Sequence, residues 1–529
     1  MDRYGPAPGS LPESHGDPKA SGMGPDVVIA GGPCTGVEYD VVDRVRPRDL
    51  TFLAEETAQT PLHNATIEIF EPGEGDDAFD HARLIGLIRD RIAFVPRYRQ
   101  RLQTVPGHLA NPVWVDDENF DLGFHVRRSA LPRPGTSAQL LELVSRIVSR
   151  PLDRTRPLWE IYFVEGLEGG RVALLSKTHQ ALVDGVHTVD LGQLLLDLQA
   201  EPRELDPDDW VPRRSPNPAR LLGGAVRENL TDPGALLDTV RTGSRAVART
   251  ADRRSERARS FVAAATGRRP KHRRGAITGP LSQQRRVVTV ETRLSDYRTV
   301  RQAHGGTVND VILATVTGAL RAWLMTRAES LGGMRQVRAV VPVSVIDEEL
   351  EATSLGSQIA AHFVDLPIGE PSPVVRLHQV SYSFQAHKDT GRSVAANRLA
   401  GIAGFAPTTF HAIGSRVAAA ELRRGYQLSV TNVPGPQAPL YAAGARMIAS
   451  YPVPPLTPGH PLAIGVTSYD GGVFYGITAD RDWIPDAELL GVCVREALDE
   501  LLDLSSATRE RAPRGRRTPK SKPGGGKSK

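Results

Sequence analysis

The chain contains very little cysteine and few aromatic residues. Among its 529 residues only Cys34 and Cys493 are cysteines, and aromatic side chains make up 5%. Two cysteines so far apart, with no His or Cys cluster beside them, build neither a disulfide framework nor a zinc site. No apolar run approaches the 18 residues of a membrane-spanning helix, and 24% of the residues are charged. The composition therefore excludes a disulfide-rich domain and an integral membrane protein, and it favours a reducing, cytoplasmic compartment.

The length predicts two core units instead of one, because a single hydrophobic core stops growing beyond about 250–300 residues. Apolar patterning is concentrated in two blocks, 41–205 and 285–507, which we expect to form two subdomains. The stretch 206–284 is rich in Pro and Arg at its edges and is predicted to connect them. The segments 1–40 and 508–529 have the composition of disordered tails.

Charge is spread unevenly along the chain, although the formal net charge is only +4. Residues 213–286 carry 18 Lys and Arg against 5 Asp and Glu, and residues 509–529 carry 9 against one. Since these segments contribute +13 and +8, the remainder has a net charge of −17. In the first segment an arginine recurs every four residues, which on a helix forms one ridge of like charge: Arg241, Arg245, Arg249, Arg253 and Arg257.

Nucleic-acid binding is the first class of function that these basic segments suggest. Residues 213–286 hold a single aromatic residue, Phe261, and so lack a platform on which bases stack. No helix-turn-helix or zinc pattern occurs either. Two interpretations remain, a solvated linker or a segment attracted to anionic lipid headgroups, and we expect no nucleic-acid partner.

Local patterns predict that strands and helices mix in both blocks. Residues 171–177 form a short strand candidate, and 463–468 with 473–478 flank Asp-Gly-Gly, a hairpin signal. Thr307 is the predicted N-cap of a helix through Leu324. Its inner face is predicted to hold Ile312, Leu313, Val316, Leu320 and Trp323. A second helix, over 189–198, is predicted from an apolar face formed by Leu191, Leu194, Leu195 and Leu198.

The most distinctive local motif runs from Ser176 to Gly185, with the sequence SKTHQALVDG. A strand delivers His179 to a turn, and Gly185 tolerates the backbone conformations that let the chain reverse before the next helix. Asp184 has the acceptor oxygens to fix such a turn, through hydrogen bonds or an arginine. A histidine followed by an aspartate is common by itself, so its chemistry has to be judged from the other motifs.

Further motifs follow in order between about residues 45 and 505. They are LTFL at 50–53, TPLH at 60–63, PLDRTRPLWE at 151–160, TVND at 307–310, PVS at 342–344, LG at 355–356, NVPGP at 432–436 and SYDG at 468–471. Together with His179 and Asp184-Gly185, this ordered set resembles the bacterial wax ester synthase/diacylglycerol acyltransferase family. That family belongs to the CoA-dependent acyltransferases, with chloramphenicol acetyltransferase and the condensation domains of peptide synthetases.

The resemblance implies an α/β (α+β) fold of two chloramphenicol-acetyltransferase-like subdomains, with mixed sheets and a channel between them. It also implies transfer of a long-chain acyl group from acyl-CoA to the hydroxyl of diacylglycerol or of a long-chain alcohol. Acyl-CoA is then a substrate, and we expect no cofactor and no metal. Because such lipids are insoluble in water, we expect the basic segments to dock the enzyme on the inner membrane face or on lipid droplets.

One motif position departs from the family pattern, His-His-x-x-x-Asp-Gly. Gln180 occupies the place of the second His, the family's general base, and an amide cannot take up a proton near pH 7. Losing a positioned base costs roughly 10²- to 10⁴-fold in rate. Three explanations remain open: His179 serves as base, His187 reaches the channel from the next helix, or the protein binds acyl-CoA or neutral lipid with little turnover.

The other site residues are assigned from the resemblance. His179, Gln180 and Asp184 are the predicted catalytic-loop residues, and Gly185 sets the geometry of that loop. Asn309 and Asp310, which also have the chemistry of helix caps, are expected to shape the channel. Asn432 and Ser468 are assigned to the same channel from the two late motifs, listed above as NVPGP and SYDG.

Overall fold

The two blocks fold into two mixed β-sheets with helices packed around them. The structure is a computed structural model, and it describes residues 43–73, 75, 78–106, 110–182, 191–201, 210–231, 275–327, 336–344, 359–388 and 425–510. The N-terminal tail, the ridge of arginines, most of the C-terminal tail, and the loop residues Asp184, Gly185 and His187 lie outside these ranges.

The helices are α1 Pro47–Glu55, α2 His81–Arg91, α3 Leu122–His125, α4 Ser137–Val148, α5 Leu191–Leu195, α6 Pro218–Thr231, α7 Leu294–His304, α8 Val308–Thr326, α9 Pro373–Lys388 and α10 Ala487–Glu510. The strands are β1 His63–Glu71, β2 Gln100–Gln103, β3 Val113–Asp116, β4 Val126–Ala130, β5 Trp159–Glu165, β6 Val172–His179, β7 Arg285–Arg293, β8 Val337–Ser344, β9 Ile359–Leu366, β10 Leu428–Pro434, β11 Tyr441–Ala442, β12 Ala445–Val453, β13 Leu462–Tyr469 and β14 Gly472–Asp480.

Both six-stranded sheets mix parallel and antiparallel pairs, as the α/β (α+β) prediction requires. The first sheet has the order β11-β12-β1-β6-β5-β4, and only its β4–β5 pair is parallel. The second sheet has the order β7-β14-β13-β10-β8-β9, with β13, β10 and β8 running parallel. Strands β11 and β12 come from the second block of the sequence, yet they complete the first sheet beside β1.

The two sheets approach each other closely where β12 meets β13 and β14. A methyl group added at Gly476 would lie 1.6 Å from the carbonyl oxygen of Pro452, and one at Gly465 would lie 2.8 Å from the Cγ of Pro452. No side chain fits at either position, because such separations are far inside van der Waals contact. The two glycines therefore allow the strand that crosses from one half to the other to lie directly against the second sheet.

Helix α4 and its C-cap cover β7, one of the two edge strands of the second sheet. The Ser149 Oγ accepts the backbone N–H of Arg285 at 2.9 Å, and the Ser145 Oγ accepts that of Val287 at 3.0 Å. The spacing of Ser145 and Ser149, one turn apart at the end of the helix, therefore matches the spacing of the N–H groups of Arg285 and Val287 along β7. These two N–H groups of the edge strand would otherwise bond water. They donate instead to side chains from the first half of the chain.

Most of the locally predicted elements are confirmed. Thr307 caps α8 through a capping box with Asp310, and the predicted inner face is buried in the second core. The hairpin is β13–β14, in which Asp470 and Gly471 have φ of 43° and 83°, as a tight two-residue turn demands. The helix predicted over 189–198 is shorter, since α5 ends at Leu195.

The physical reason for that difference lies in Asp197. Its backbone pairs with that of Tyr441 through hydrogen bonds of 2.7 and 2.9 Å, and its carboxylate accepts a hydrogen bond from Arg91. These contacts end the helix before Leu198, and the side chain of Leu198 is consequently 67% exposed. Long-range pairing overrides the local apolar period at this point.

Helix α8 is long and apolar enough to span a membrane by length and composition, and it is the one such helix among the residues that the structure describes. Its most apolar window is 72% buried inside the protein. It packs against α7, α9 and α10 and against the second sheet, so it serves as the central helix of the second core.

Candidate active site

His179 is the last residue of β6, a strand in the middle of the first sheet. Its backbone N–H donates to the Leu158 carbonyl at 3.0 Å, and the next N–H, that of Gln180, donates to the Leu62 carbonyl at 3.0 Å. The strand is therefore paired on both sides up to the loop, and the His179 side chain is fully buried. This pairing fixes where the loop leaves the sheet.

Both ring nitrogens of His179 face protein groups. Nδ1 accepts the backbone N–H of Ala181 at 3.0 Å, and Nε2 lies 3.5 Å from the Glu56 Oε2. Because Nδ1 is an acceptor here, the neutral ring carries its proton on Nε2, toward the carboxylate. In this arrangement His179 has no free lone pair to offer to a substrate hydroxyl, and it holds the first turn of the loop.

Glu56 is a site residue that the sequence analysis did not identify. Its carboxylate accepts hydrogen bonds from Arg154, at 2.6 and 3.0 Å, and from the backbone N–H of Leu62 at 3.1 Å. Burial acts to raise the pKa of Glu56, but its interactions with His179 and Arg154 outweigh burial and lower the pKa to about 2. The only sequence signal was position, because Glu56 lies between the LTFL and TPLH motifs and Arg154 lies within PLDRTRPLWE.

Gln180 is fully buried, and neither atom of its side-chain amide has a hydrogen-bond partner among the described residues. A buried amide without partners is costly, by about 1–3 kcal/mol for each unsatisfied group. Gln180 therefore retains hydrogen-bonding capacity that no described protein group uses.

The structure brings Asn309, Asp310 and Asn432 together at the start of α8. The Asn432 Nδ2 donates to the Asn309 Oδ1 at 2.8 Å, although 123 positions separate them. The Asp310 Oδ2 accepts the N–H of Thr307 at 2.8 Å and the hydroxyl of Ser381 at 3.1 Å. These contacts tie the start of α8 to the end of β10 and to α9.

Ser468 lies near the end of β13, opposite Pro434. Its Oγ accepts from the N–H of Gly435 and from the Nε2 of Gln437, both at 3.3 Å. In the described structure these contacts stabilise the NVPGP turn, so Ser468 is linked to Asn432 through that turn and not by a direct hydrogen bond.

Two further buried groups lie beside His179 on the same face of the sheet. The Lys177 Nζ donates to the carbonyls of Ile147 and Arg150, at the end of α4, at 3.3 and 2.5 Å, and burial lowers its pKa to about 8. Burial likewise lowers the pKa of His63 well below its ordinary 6.5. His63 lines a small, shallow cleft between the halves, with Arg285, Thr478 and three prolines. The sequence analysis assigned neither residue a role.

No group of three His, Cys, Asp or Glu side chains is arranged to hold a metal ion within the described ranges. The expectation that the protein needs neither metal nor cofactor stays a prediction.

Two mixed sheets, a strand that crosses between them, and the buried pair His179-Gln180 at the end of a central strand define a two-subdomain acyltransferase fold. The wax ester synthase/diacylglycerol acyltransferase catalytic domain matches residues 45–312, and the C-terminal domain of the same family matches residues 355–502. The chain belongs to the wax ester synthase/diacylglycerol acyltransferase family.

Individual relatives support this membership. A Mycobacterium tuberculosis protein, the probable diacylglycerol O-acyltransferase tgs3, is 39% identical over 263 residues, which are 49% of this chain and 96% of that protein. The probable diacylglycerol O-acyltransferase tgs1 of the same organism is 30% identical over 82% of this chain and 91% of its own length. Among solved structures, the wax ester synthase/diacylglycerol acyltransferase of Marinobacter aquaeolei VT8 is similar with a TM-score of 0.60 and 26% identity, over 88% of this chain and 100% of that one.

Proposed function

We propose that the protein transfers a long-chain fatty acyl group from acyl-CoA to the hydroxyl of diacylglycerol, forming triacylglycerol, or to a long-chain alcohol, forming a wax ester. The observation that carries the proposal is the family match over both halves of the chain. The names of the tgs1 and tgs3 relatives support diacylglycerol as an acceptor.

The chemistry proposed for the loop differs from that of a loop with two histidines. An acyl thioester is already activated, so the reaction requires no covalent enzyme intermediate. Gln180 offers one acceptor and two donor hydrogens, which orient an acceptor hydroxyl but do not remove its proton. That proton passes to the CoA sulfur as the thioester bond breaks, so CoA leaves as the free thiol. His179, with Nδ1 on Ala181 and Nε2 toward Glu56, holds the loop in place. The enzyme is then slower than a two-histidine relative, and binding and orientation supply what rate remains.

A second candidate function follows from the same amide. With an unpartnered glutamine where the family places its base, the chain would also serve as a binding protein for acyl-CoA or neutral lipid. In that case the fold holds the lipid without turning it over. His187 lies outside the described residues, so its place in either function is a matter for mutagenesis.

One assay separates the two functions. Purified protein is incubated with labelled palmitoyl-CoA and diolein, beside Gln180→His, His179→Ala and His187→Ala variants. The control Gln379→His adds a histidine at an exposed position of α9. Ester formed by the wild-type protein, and more by Gln180→His, is expected for a slowed transferase.

The remaining outcomes contradict parts of this proposal. Ester formed by Gln180→His but not by the wild type would identify the binding protein. Loss of wild-type turnover in His187→Ala alone would assign the base to that histidine. If His179→Ala lost turnover but kept its thermal stability and its affinity for acyl-CoA, the positioning role of His179 would be wrong.

We also propose that the basic segments at 213–286 and 509–529 attach the enzyme to anionic lipid surfaces, as a peripheral protein of the inner membrane face or of lipid droplets. Their net charges of +13 and +8 support this, at about 1 kcal/mol per basic residue near such a surface. The fraction of protein that sediments with phosphatidylglycerol vesicles should fall as the salt concentration rises, while little protein should bind to neutral vesicles. Equal, salt-insensitive binding to both kinds of vesicle would refute electrostatic docking.

A further inference from the structure

Lys177 is a buried lysine whose side chain joins the strand of the candidate loop to the end of α4. It lies two residues before His179 on β6, and its side chain is 1% exposed. Its ammonium group donates to the carbonyls of Ile147, in the last turn of α4, and Arg150, just beyond that turn. The final carbonyls of a helix have no partner within the helix, and a cation there also interacts favourably with the helix dipole. Lys177 therefore fixes the end of α4 against β6.

The contact requires a cation to be buried, which carries a desolvation cost. Burial lowers the pKa of Lys177 from 10.5 to about 8, although the charges of Glu160 and Glu56 act to raise it. Glu160 lies directly opposite on β5, with its Oε2 3.9 Å from the Lys177 Nζ. An apolar side chain of similar length would fill the same space without this cost, so packing alone does not account for a lysine. Its N–H donors differ from apolar contacts in that they hold two elements at a fixed distance and angle.

The same end of α4 also contacts the second half of the chain. Ser145 and Ser149 accept the N–H groups of Val287 and Arg285 on β7. Hydrogen bonds thus connect β6 to β7 through Lys177, the end of α4 and the two serines. A shift of α4 along its axis would break the contacts on both sides. We call the end of α4, with Lys177, Ser145 and Ser149, the α4 joint.

The proposed reaction draws on groups from both halves. His179 and Gln180 lie at the end of β6, while the predicted channel residues Asn309 and Asn432 lie in α8 and β10. A misplacement of reacting groups by about 1 Å lowers a rate by about 100-fold. We propose that Lys177 is a positioning residue, which sets the place of His179 and Gln180 relative to the second half by anchoring the end of α4. This inference rests on the proposed acyltransferase function.

The test replaces Lys177 with methionine, which has a similar length but no N–H donor. In Lys177→Met, kcat with palmitoyl-CoA and diolein should fall by roughly ten- to a hundredfold, while KM for palmitoyl-CoA stays within about twofold. Amide exchange at Arg285 and Val287 should become faster, because α4 is no longer fixed on the side of β6. All rates are measured at a temperature at which every variant is fully folded.

The control Arg376→Met removes a buried cation elsewhere. Arg376 is 3% exposed and donates to the carbonyls of Glu370 and Pro371, so these contacts lie entirely within the second half. Its loss should affect stability but leave kcat, and amide exchange on β7, as in the wild type. An equal fall of kcat in Arg376→Met would assign the effect to the loss of any buried cation and overturn the inference.

A double-mutant cycle tests whether Lys177 acts through α4. Lys177→Met is combined with Ser145→Ala and Ser149→Ala, which remove the contacts on the other side of the α4 joint. If position is passed along one series of contacts, breaking it twice costs little more than breaking it once. The combined fall in kcat should therefore stay close to the larger of the separate falls. Falls that multiply would show independent action and overturn the inference.

The remaining outcomes are also decisive. Unchanged kcat or unchanged β7 exchange in Lys177→Met would overturn the inference, and so would a raised KM for palmitoyl-CoA, which would assign Lys177 to donor binding. If Lys177→Met does not fold, unchanged kcat in the serine variant would overturn it. Absence of ester in every protein would refute the transferase, whereas faster β7 exchange in Lys177→Met and not in Arg376→Met would still support the anchoring of α4.

Discussion

Glu56 offers the sharpest test of how the loop is held. The variant Glu56→Gln keeps the shape of the side chain but removes the charge that lies between His179 and Arg154. The amide of the new glutamine also places N–H donors against the N–H donors of those two residues. The side chain is 4% exposed, so water screens this charge little. A pKa lowered from 4.5 to about 2 corresponds to roughly 3 kcal/mol of folding free energy.

The pH dependence follows from the direction of that shift. A carboxyl with a lowered folded-state pKa adds stability above its unfolded pKa, and the contribution is lost as pH falls toward the folded value. The difference in unfolding free energy between the wild type and Glu56→Gln should therefore be nearly constant from pH 7 to pH 5. It should fall to about 1.4 kcal/mol at pH 3, since the carboxyl is then largely protonated in the unfolded chain.

Guanidinium unfolding of both proteins at pH 7, 5 and 3 measures this difference. The control Glu488→Gln removes an exposed carboxylate that pairs with Arg286, and it should change stability by less than about 1 kcal/mol at any pH. If Glu56→Gln were as stable as the wild type at pH 7, or if its deficit were the same at pH 3, the ion cluster would not hold the loop as argued.

Two further variants test the contact between the halves. The double variant Ser145→Ala, Ser149→Ala removes the acceptors of two β7 N–H groups. The free energy of unfolding should fall by about 1–3 kcal/mol for each group, and amide exchange at Arg285 and Val287 should become faster. Unchanged exchange would contradict the role of the serines in covering this edge. In Gly476→Ala the new methyl group would meet backbone, so the free energy of unfolding, measured by denaturant titration, should fall by more than about 1–3 kcal/mol. The control Gly86→Ala in α2 has open space around the new methyl group and should be neutral or stabilising.

Local chemistry made part of the fold predictable. Thr307 and Asp310 signal the start of α8 within four residues, and Asp470-Gly471 signals its hairpin within two, because a cap or a turn depends only on neighbours. The end of α5 was not predictable in this way. It is decided by the pairing of Asp197 with Tyr441, which lies far along the chain.

The same distinction applies to the site. The motif placed His179 and Gln180 on the loop, and it placed Asn309 and Asn432 in one region without indicating that they touch. The partner of His179 was not predictable, since Glu56 lies in an unremarkable stretch and acquires its low pKa only when His179 and Arg154 fold beside it.

The crossing of β12 also constrains the order of events during synthesis. Until residue 453 has left the ribosome, β1 has no neighbour on one side, and its backbone N–H and C=O groups along that side are open to any other extended chain. A fragment ending after the first block would carry an unfinished sheet and tend to aggregate. The first sheet can therefore be completed only by a strand made more than 370 residues after β1.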